Sequence, residues 1–336
     1  MNKRERFIKF LNNEPVDRVP VAFFHHFCAN EDFNKGLVDE KYFEQNVEGH
    51  RISKANFNPD VAKIMSDSLI VVEMDTSFVE KPEDLLKVRV PDLDSKYMQK
   101  MLELTKRARA IYDEDTPVLF TSFSPVLCLR NSLAIGGMAW SREVEGKFLG
   151  FLAEAPEIIG EAVGNISKGI MAMNEMLLTE GGCDGMYISY SNQSNLINPD
   201  IYRTHVSPHE KAVLEAANKI SDMNILHICG YAGATNDLKL YQDYEAGAIN
   251  WAVHGEGVSL SEGKKFFGGK PVFGGFKQAG VLYTGTREEV EAEVFHILDD
   301  AGQVGVMLGA DCTVPGDINE ERFEWVREAT AKYAAK

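Results

Sequence analysis

Three residues of this 336-residue chain have the side chains and the spacing to bind a metal ion. His227-Ile228-Cys229 lies in an apolar, strand-like segment, and residues i and i+2 of a strand point to the same side. Cys312 follows a second such segment, with 82 residues between the two cysteines. One imidazole and two thiolates suit Zn²⁺, and three protein ligands leave the open fourth position that catalytic zinc sites use. The alternative is ordinary packing, since free cysteine is commonly a small buried hydrophobe.

Other polar and titratable residues stand where neighbouring strand-like segments end. They are His25, His26, Glu73, Asp75, Ser122, Ser124, Ser189, Tyr190, Asn192, His254, Glu256, Lys277 and Asp311. Taken singly, each is more simply explained as a solvated loop residue. Taken together, they indicate an active site at one rim of a parallel sheet.

We assign trial roles to seven of these residues. His254, Glu73 and Asp311 are candidate catalytic residues that orient the metal ligands or the substrate. Tyr190 and Asn192 are candidate substrate-binding residues, with loop packing as the equal alternative.

A counter-charge and a pocket histidine complete the candidate site. Lys277 is a candidate partner for an anionic group on the substrate. Adjacent strand residues face opposite sides, so at most one of His25 and His26 points inward, and we assign His25 to substrate binding.

Eight short apolar segments carry these positions. They are Val19–His25, Ser68–Glu73, Pro117–Ser124, Gly185–Ser191, Asn224–Cys229, Ala248–His254, Pro271–Phe276 and Gly305–Leu308. Most are continuously apolar, which is typical of strands covered on both faces. Between them lie segments with helical spacing, including Glu157–Leu178, Pro199–Ile220 and Glu320–Tyr333. Capping-box patterns at Ser259–Glu262 and Thr286–Glu289 predict two more helix starts.

Eight strand–helix units predict an α/β protein, and eight is the number that closes into a (β/α)₈ TIM barrel. The length beyond the ~250 residues of such a barrel fits an N-terminal helix, Lys3–Leu11, and an extended excursion between strands 1 and 2, Ala29–Asp67. We therefore predict a single barrel domain over residues 1–336. An open doubly wound sheet is the alternative, disfavoured because no Gly-x-Gly-x-x-Gly follows the first strand.

The overall composition limits the classes of partner. A net charge of −16 disfavours nucleic acids and anionic membranes as partners. A hydrophobic content of 44% excludes global disorder. No apolar run of membrane-spanning length and no signal peptide are visible, and five cysteines, an odd number, predict a reducing, cytoplasmic location.

Several motifs resemble the uroporphyrinogen decarboxylase superfamily. They are Lys3-Arg4-Glu5-Arg6, Pro15–Val21, Asp184-Gly185, His227-Ile228-Cys229-Gly230, Gly274-Gly275 and Gly285-Thr286. The similarity covers nearly the whole chain, and it independently implies a (β/α)₈ barrel. The superfamily includes cofactor-free decarboxylases and zinc-dependent methylcobamide:coenzyme M methyltransferases. The second branch is marked by His-x-Cys and a distant cysteine as zinc ligands, which implies His227, Cys229 and Cys312 here.

The sequence departs from the decarboxylase branch in two places. The Arg-Gln-Ala-Gly-Arg motif of those enzymes is replaced by 24–29, which contains no arginine, and their Gly-His-Gly segment by 309–315. A substrate with eight carboxylates is electrostatically disfavoured in an acidic chain that lacks those arginines.

The resemblance and the residues together predict a zinc-dependent methyltransferase. It would move a methyl group between a corrinoid and a thiol or other small methyl donor or acceptor. No Asp-x-His-x-x-Gly motif is present, so the corrinoid is expected on a separate carrier protein. By analogy with related barrels a homodimer is expected. The alternatives are decarboxylation of a porphyrinogen or smaller acid, and a non-catalytic corrinoid- or tetrapyrrole-binding protein.

Overall fold

A seven-stranded parallel sheet forms the centre of the computed structural model, which describes residues 1–134 and 142–336. Its strands are β1 Ala62–Ile64, β2 Val118–Phe123, β3 Gly185–Tyr190, β4 Ile225–Ile228, β5 Ala248–Trp251, β6 Val272–Phe276 and β7 Val306–Ala310. Each strand pairs with the next along the chain, so the sheet order is β1 to β7. The sheet is curled, and the carboxyl ends of its strands lie at one edge.

Helices separate successive strands, as parallel pairing requires. They are α1 Lys3–Leu11, α2 Glu40–Asn56, α3 Lys96–Arg109, α4 Pro125–Leu133, α5 Arg142–Glu154, α6 Pro156–Thr179, α7 Pro199–His205, α8 Ser207–Asn218, α9 Val253–Glu256, α10 Leu260–Phe266, α11 Val281–Thr284, α12 Arg287–Ala301 and α13 Glu321–Ala334. The helix predicted over Pro199–Ile220 is interrupted at Val206, because Pro208 has no N–H to continue the hydrogen-bond ladder. None of the helices in the described ranges is long and apolar enough to cross a membrane.

A small hydrophobic cluster fills the inner face of the curled sheet near the amino ends of its strands. Phe7 and Phe10 of α1 pack there. The sheet side contributes Ala22, Val61, Leu119, Tyr187, Ile225, Ala248, Phe273 and Met307. Because side chains alternate along a strand, residues two positions further on face the same side. That rule places Lys63, His227 and Asn250 one layer nearer the carboxyl edge.

The segment preceding β1 lies beside β7 in an extended conformation. Val21 forms an isolated parallel bridge with Leu308, and the Ala22 N–H donates to the Leu308 carbonyl at 3.0 Å. The prediction of a full strand over Val19–His25 was therefore wrong beyond this bridge. Pro20 has no N–H to donate, which limits the pairing of this segment.

A buried carboxylate anchors this segment. Asp60 is fully buried, and its Oδ2 accepts the Val21 N–H at 2.9 Å. The same carboxylate pairs with Arg6 at 2.9 Å and with Arg18 at 2.6 Å. A desolvated ionic network thus holds this extended segment in place beside the sheet.

The second predicted strand, Ser68–Glu73, was also wrong. The strand is Ala62–Ile64, inside the predicted excursion Ala29–Asp67, which also contains α2. The residues expected to form the strand begin instead with a short 3₁₀ turn, Asp67–Leu69. The carboxylate of Asp67 accepts hydrogen bonds from the backbone N–H groups of Phe27 and Cys28. The six other predicted strands coincide with β2 to β7 except at their ends.

Candidate metal centre

Three side chains converge at the carboxyl edge of β4 and β7. His227 is the third residue of β4, Cys229 follows that strand, and Cys312 lies two residues after β7. One ligand atom of each lies within 4.8 Å of the others, and the two sulfurs are 4.0 Å apart. Two sulfurs bound to a tetrahedral zinc at ordinary Zn–S lengths would be about 3.8 Å apart. The donor set and its spacing therefore fit Zn²⁺.

Asn250 on β5 determines which nitrogen of His227 faces the thiols. Its amide NH₂ donates to the carbonyls of Phe273 at 2.8 Å and Ala310 at 3.3 Å, which fixes the orientation of the amide. Oδ1 of Asn250 therefore accepts hydrogen bonds, and these come from Nδ1–H of His227 and from the hydroxyl of Tyr187. With the proton on Nδ1, the lone pair of His227 lies on Nε2, where it is available to a metal.

The two thiols form a hydrogen-bonded pair with unequal acidity. The hydrogen bond from Cys229 lowers the pKa of Cys312 well below its ordinary value, and the same bond raises that of Cys229. Both effects follow from two sulfurs sharing one proton. Metal binding replaces that proton, since thiolates rather than thiols are the ligands.

Lys63 on β1 places a buried positive charge in the same layer of the sheet. Its ammonium lies 4.7 Å from the ring centroid of Phe24 and 4.6 Å from that of Tyr187. Tyr187 in turn stacks on His227, with ring centroids 5.2 Å apart. Burial lowers the pKa of Lys63 to about 8, while the charges of Cys312 and Asp67 oppose that shift. Cation–π contacts stabilise the ammonium where water cannot.

The metal centre opens into a cavity of about 320 Å³. Polar residues of its wall include His26, Lys63, Ser66, Thr121, Arg130, Tyr187, Ser189, Gln193, Asn195, His227, Cys229, Tyr231, Cys312 and Thr313. None of the described residues on this wall is an aspartate or a glutamate. Lys63 and Arg130 supply two cations, and burial lowers the pKa of Arg130 to about 10. Although the chain carries a net charge of −16, the cavity is suited to a small anion.

Asn236 joins the loops behind the cavity. Its NH₂ donates to the Cys229 carbonyl at 3.1 Å and to Glu256 at 3.0 Å. Its Oδ1 accepts the Asn192 N–H at 3.0 Å, and Asn192 also exchanges two hydrogen bonds with the backbone of Asp237. Asn192, predicted to bind substrate, thus connects loops and does not line the cavity. Tyr190 belongs to the cavity wall, but its hydroxyl donates to the Glu210 carbonyl outside it.

His254 and Asp311 lie next to the metal centre but outside the cavity. One Asp311 oxygen accepts both the backbone N–H and Nδ1–H of His254, at 3.1 and 3.0 Å. That hydrogen bond, opposed by partial burial, raises the pKa of His254. The pair connects α9, which follows β5, to the segment that carries Cys312.

Glu73 and Lys277 are exposed, and neither side chain lines the cavity. Glu73 lies in the loop after the 3₁₀ turn. It was expected at a strand end only because the strand was predicted over Ser68–Glu73 and not over Ala62–Ile64. Lys277, predicted as the counter-charge for an anionic substrate, follows β6. Among the described residues, Lys63 and Arg130 are the lysine and arginine on the cavity wall.

His26, not His25, lies on the cavity wall. Ala22 and Phe24 pack with the cluster inside the curled sheet, and His26 lies on the same inner side, whereas His25 does not line the cavity. His25 bonds through Nε2 to Glu320. Burial opposes a charge on His25, but this hydrogen bond raises its pKa overall.

Sequence reasoning missed four residues of this site: Lys63, Asn250, Arg130 and Asp67. Lys63 and Asn250 carried a signal, because each is a polar residue within a short apolar segment that alternates inward. Arg130 on α4 and Asp67 in a 3₁₀ turn lie outside any strand pattern, and only the tertiary structure brings them to the cavity or its border.

Comparisons with known proteins concern the family and the fold of the chain. The family model described as "Uroporphyrinogen decarboxylase (URO-D)" matches residues 2–333. The Methylcobamide:CoM methyltransferase MtbA of Methanosarcina mazei is 24% identical over 229 residues, which cover 68% of this chain and 62% of that protein, less than two thirds of its length. The protein of the same name from Methanosarcina acetivorans is 22% identical, covering 93% of this chain and 92% of that protein.

Solved structures give the same picture of the fold. A methyltransferase from Methanosarcina mazei superposes with a TM-score of 0.77 at 17% identity, covering 99% of each chain. A B12-independent methionine synthase from Shewanella sp. W3-18-1 gives a TM-score of 0.55 at 15% identity, covering 95% of this chain and 98% of that chain. At these identities the likeness concerns the fold alone.

Proposed function

This chain belongs to the uroporphyrinogen decarboxylase family, and within it we propose a zinc-dependent methyltransferase that moves a methyl group between a corrinoid and a small thiol. The observation that carries the proposal is the cluster of His227, Cys229 and Cys312 at the floor of a cavity. The names of both MtbA relatives support methylcobamide as one substrate. We place the chain in the cytoplasm, where thiols stay reduced.

For the architecture, we propose one (β/α)₈ barrel domain in which the extended segment 19–22 takes the place of the first strand. Support comes from hydrogen bonds on both sides of that segment, to Leu308 and to Asp60. A barrel places the active site at the carboxyl ends of its strands. The three proposed ligands occupy that edge.

His227, Cys229 and Cys312 would hold the zinc ion. A Zn²⁺ ion bound there supplies Lewis acidity, which lowers the pKa of a thiol and makes its thiolate available near neutral pH. Asn250 keeps Nε2 of His227 free for the metal. Lys63 and Arg130 lie on the cavity wall and would attract an anionic substrate, and the charge of Lys63 partly offsets that of the sulfurs. His254 and Asp311 hold the segment that carries Cys312 in position.

The cavity volume and its wall favour methyl transfer over the alternatives. A volume of about 320 Å³ lies near the lower end for small-molecule pockets and suits a thiol far better than a tetrapyrrole macrocycle. The corrinoid would therefore approach the mouth while bound to a separate carrier protein. The transfer could run in either direction with the same residues.

Metal analysis tests the centre directly. Protein purified without chelator should contain about one zinc per chain. Cys229→Ala and Cys312→Ala should lose most of that zinc, whereas Cys183→Ala, at a buried cysteine away from the cavity, should retain it. Unchanged zinc in the first two variants would refute the centre.

A spectroscopic assay tests the reaction. The zinc-loaded protein is mixed with methylcobalamin and with coenzyme M, 3-mercaptopropionate or 2-mercaptoethanol, and the cobalamin spectrum is followed. We expect thiol-dependent demethylation, faster with the two anionic thiols. Tight corrinoid binding without turnover would favour a carrier, and metal-free decarboxylation of a porphyrinogen would favour the decarboxylase.

A further inference from the structure

His26 is held on the cavity wall by a hydrogen bond through one ring nitrogen, and its other nitrogen bonds to none of the described residues. Its Nδ1 donates to Oδ1 of Asp67 at 2.7 Å. Asp67 is fully buried, and its other oxygen accepts the backbone N–H groups of Phe27 and Cys28. A carboxylate occupied by these donors fixes the proton of His26 on Nδ1. The lone pair therefore lies on Nε2, and the ring also rests against Phe33, with centroids 4.8 Å apart.

Few other groups on the cavity wall could accept a proton. The described wall contains no carboxylate. Nε2 of His227 is the proposed metal ligand, and the hydroxyl of Tyr187 already donates to Asn250. Lys63 is a buried cation between two aromatic rings. Among the described residues of the wall, His26 is thus the base that remains.

We propose that His26 is a catalytic base that accepts the proton of the substrate thiol, and that Asp67 is its positioning residue. This inference rests on the proposed function, because methyl transfer to a thiol releases one proton. In that step Nε2 takes the proton from sulfur, a sulfur–carbon bond forms, and the carbon–cobalt bond of the methyl-corrinoid breaks with both electrons going to cobalt. In the opposite direction the imidazolium returns the proton to sulfur.

The arrangement is that of a carboxylate–imidazole dyad. Asp67 orients the imidazole and stabilises the positive charge that develops when Nε2 is protonated, as an orienting carboxylate does for other catalytic histidines. His25 contributes no competing base, because its Nε2 is occupied by Glu320. The adjacent histidines therefore have separate tasks, one in the cavity and one in packing.

Calorimetric proton counting tests the inference without any turnover. Zinc-loaded wild-type protein is titrated near neutral pH with 3-mercaptopropionate in two buffers of different ionisation enthalpy. If His26 keeps the thiol proton, the wild type releases well under one proton per thiol bound, and His26→Gln releases about one. Equal release by the two proteins would overturn the inference.

Kinetics supply a second readout. His26→Gln should lower the rate of methylcobalamin demethylation by about 10²- to 10⁴-fold while keeping its zinc. Added imidazole should partly restore the rate of His26→Gly. The matched control is His296→Gln, at an exposed histidine of α12, which should behave as wild type in both assays.

The failures are distinguishable. Wild-type protein that binds no zinc, or that never demethylates methylcobalamin with any thiol, would overturn the proposed function and this inference with it. Active wild-type protein with an equally active His26→Gln would overturn the inference alone.

Discussion

Replacing Asn250 should weaken zinc binding although Asn250 is not one of the proposed ligands. Asn250 is fully buried, its Oδ1 accepts a hydrogen bond from Nδ1–H of His227, and its NH₂ donates to the carbonyls of Phe273 and Ala310. Asn250→Ala removes the acceptor that holds His227 in the Nδ1–H form. The imidazole then samples the other tautomer and other orientations, in which Nε2 is not presented to zinc.

The expected loss is moderate and can be estimated. Removing the hydrogen-bond partner of a ligating histidine commonly costs about 10- to 100-fold in metal affinity, which is about 1.4 to 2.7 kcal/mol. The apo protein should also be less stable, by about 1 to 3 kcal/mol for an unsatisfied buried group. We expect the cost of one unsatisfied group, because water admitted to the vacated space can bond to the other former partners of Asn250.

Competition against a chromophoric zinc chelator measures the affinity, and circular dichroism with thermal unfolding measures folding and stability. Tyr187→Phe is the matched control. It removes one hydrogen bond to the same Asn250 oxygen but keeps the ring stacked on His227. It should lower stability by about 1 kcal/mol and leave the zinc affinity near that of wild type. A folded Asn250→Ala protein with wild-type zinc affinity would refute the reasoning.

Three further predictions follow from other buried charges. Lys63→Met should weaken the binding of 3-mercaptopropionate by about 10- to 100-fold and that of 2-mercaptoethanol much less, as measured from KM. Equal losses for the two thiols would contradict a role of Lys63 in anion binding. Burial raises the pKa of Glu210 from 4.5 to about 7, so its contribution to stability is present below about pH 4.5 and is lost as the pH rises through about 7. In urea unfolding, the free energy of unfolding of Glu210→Gln should therefore fall by about 3 kcal/mol less than that of the wild type over this pH range. The same pH profile in both proteins would contradict a raised pKa of Glu210. Asp60→Ala leaves Arg6 and Arg18 without their buried partner and should destabilise the protein by about 3 to 5 kcal/mol; a loss under about 1 kcal/mol in urea unfolding would show that water replaces the carboxylate.

Periodicity and capping patterns predicted most of the fold. Strands β2 to β7 are short apolar segments between long helical ones, and the capping boxes at Ser259 and Thr286 begin α10 and α12 as expected. The two wrong strand predictions both fall at the start of the sheet. There Pro20 limits pairing, and β1 has only three residues, one of them Lys63, so the more apolar run at Ser68–Glu73 was the stronger signal.

The sequence by itself determined the candidate ligands. In any strand His227 and Cys229 face the same side, and in any parallel sheet the carboxyl ends of β4 and β7 lie along one edge, so periodicity placed Cys312 at the same edge as the other two ligands. The resemblance to the family added the chemistry.

Tertiary structure decided everything that depends on register and on curling of the sheet. Pairing of β4 with β5 sets Asn250 opposite His227 and thereby its tautomer. Packing of Ala22 inside the sheet places His26 rather than His25 on the cavity wall, and curling brings Lys63 onto the ring of Tyr187, within electrostatic reach of the thiols. Such contacts join residues far apart along the chain, and a one-residue shift in register would reverse them.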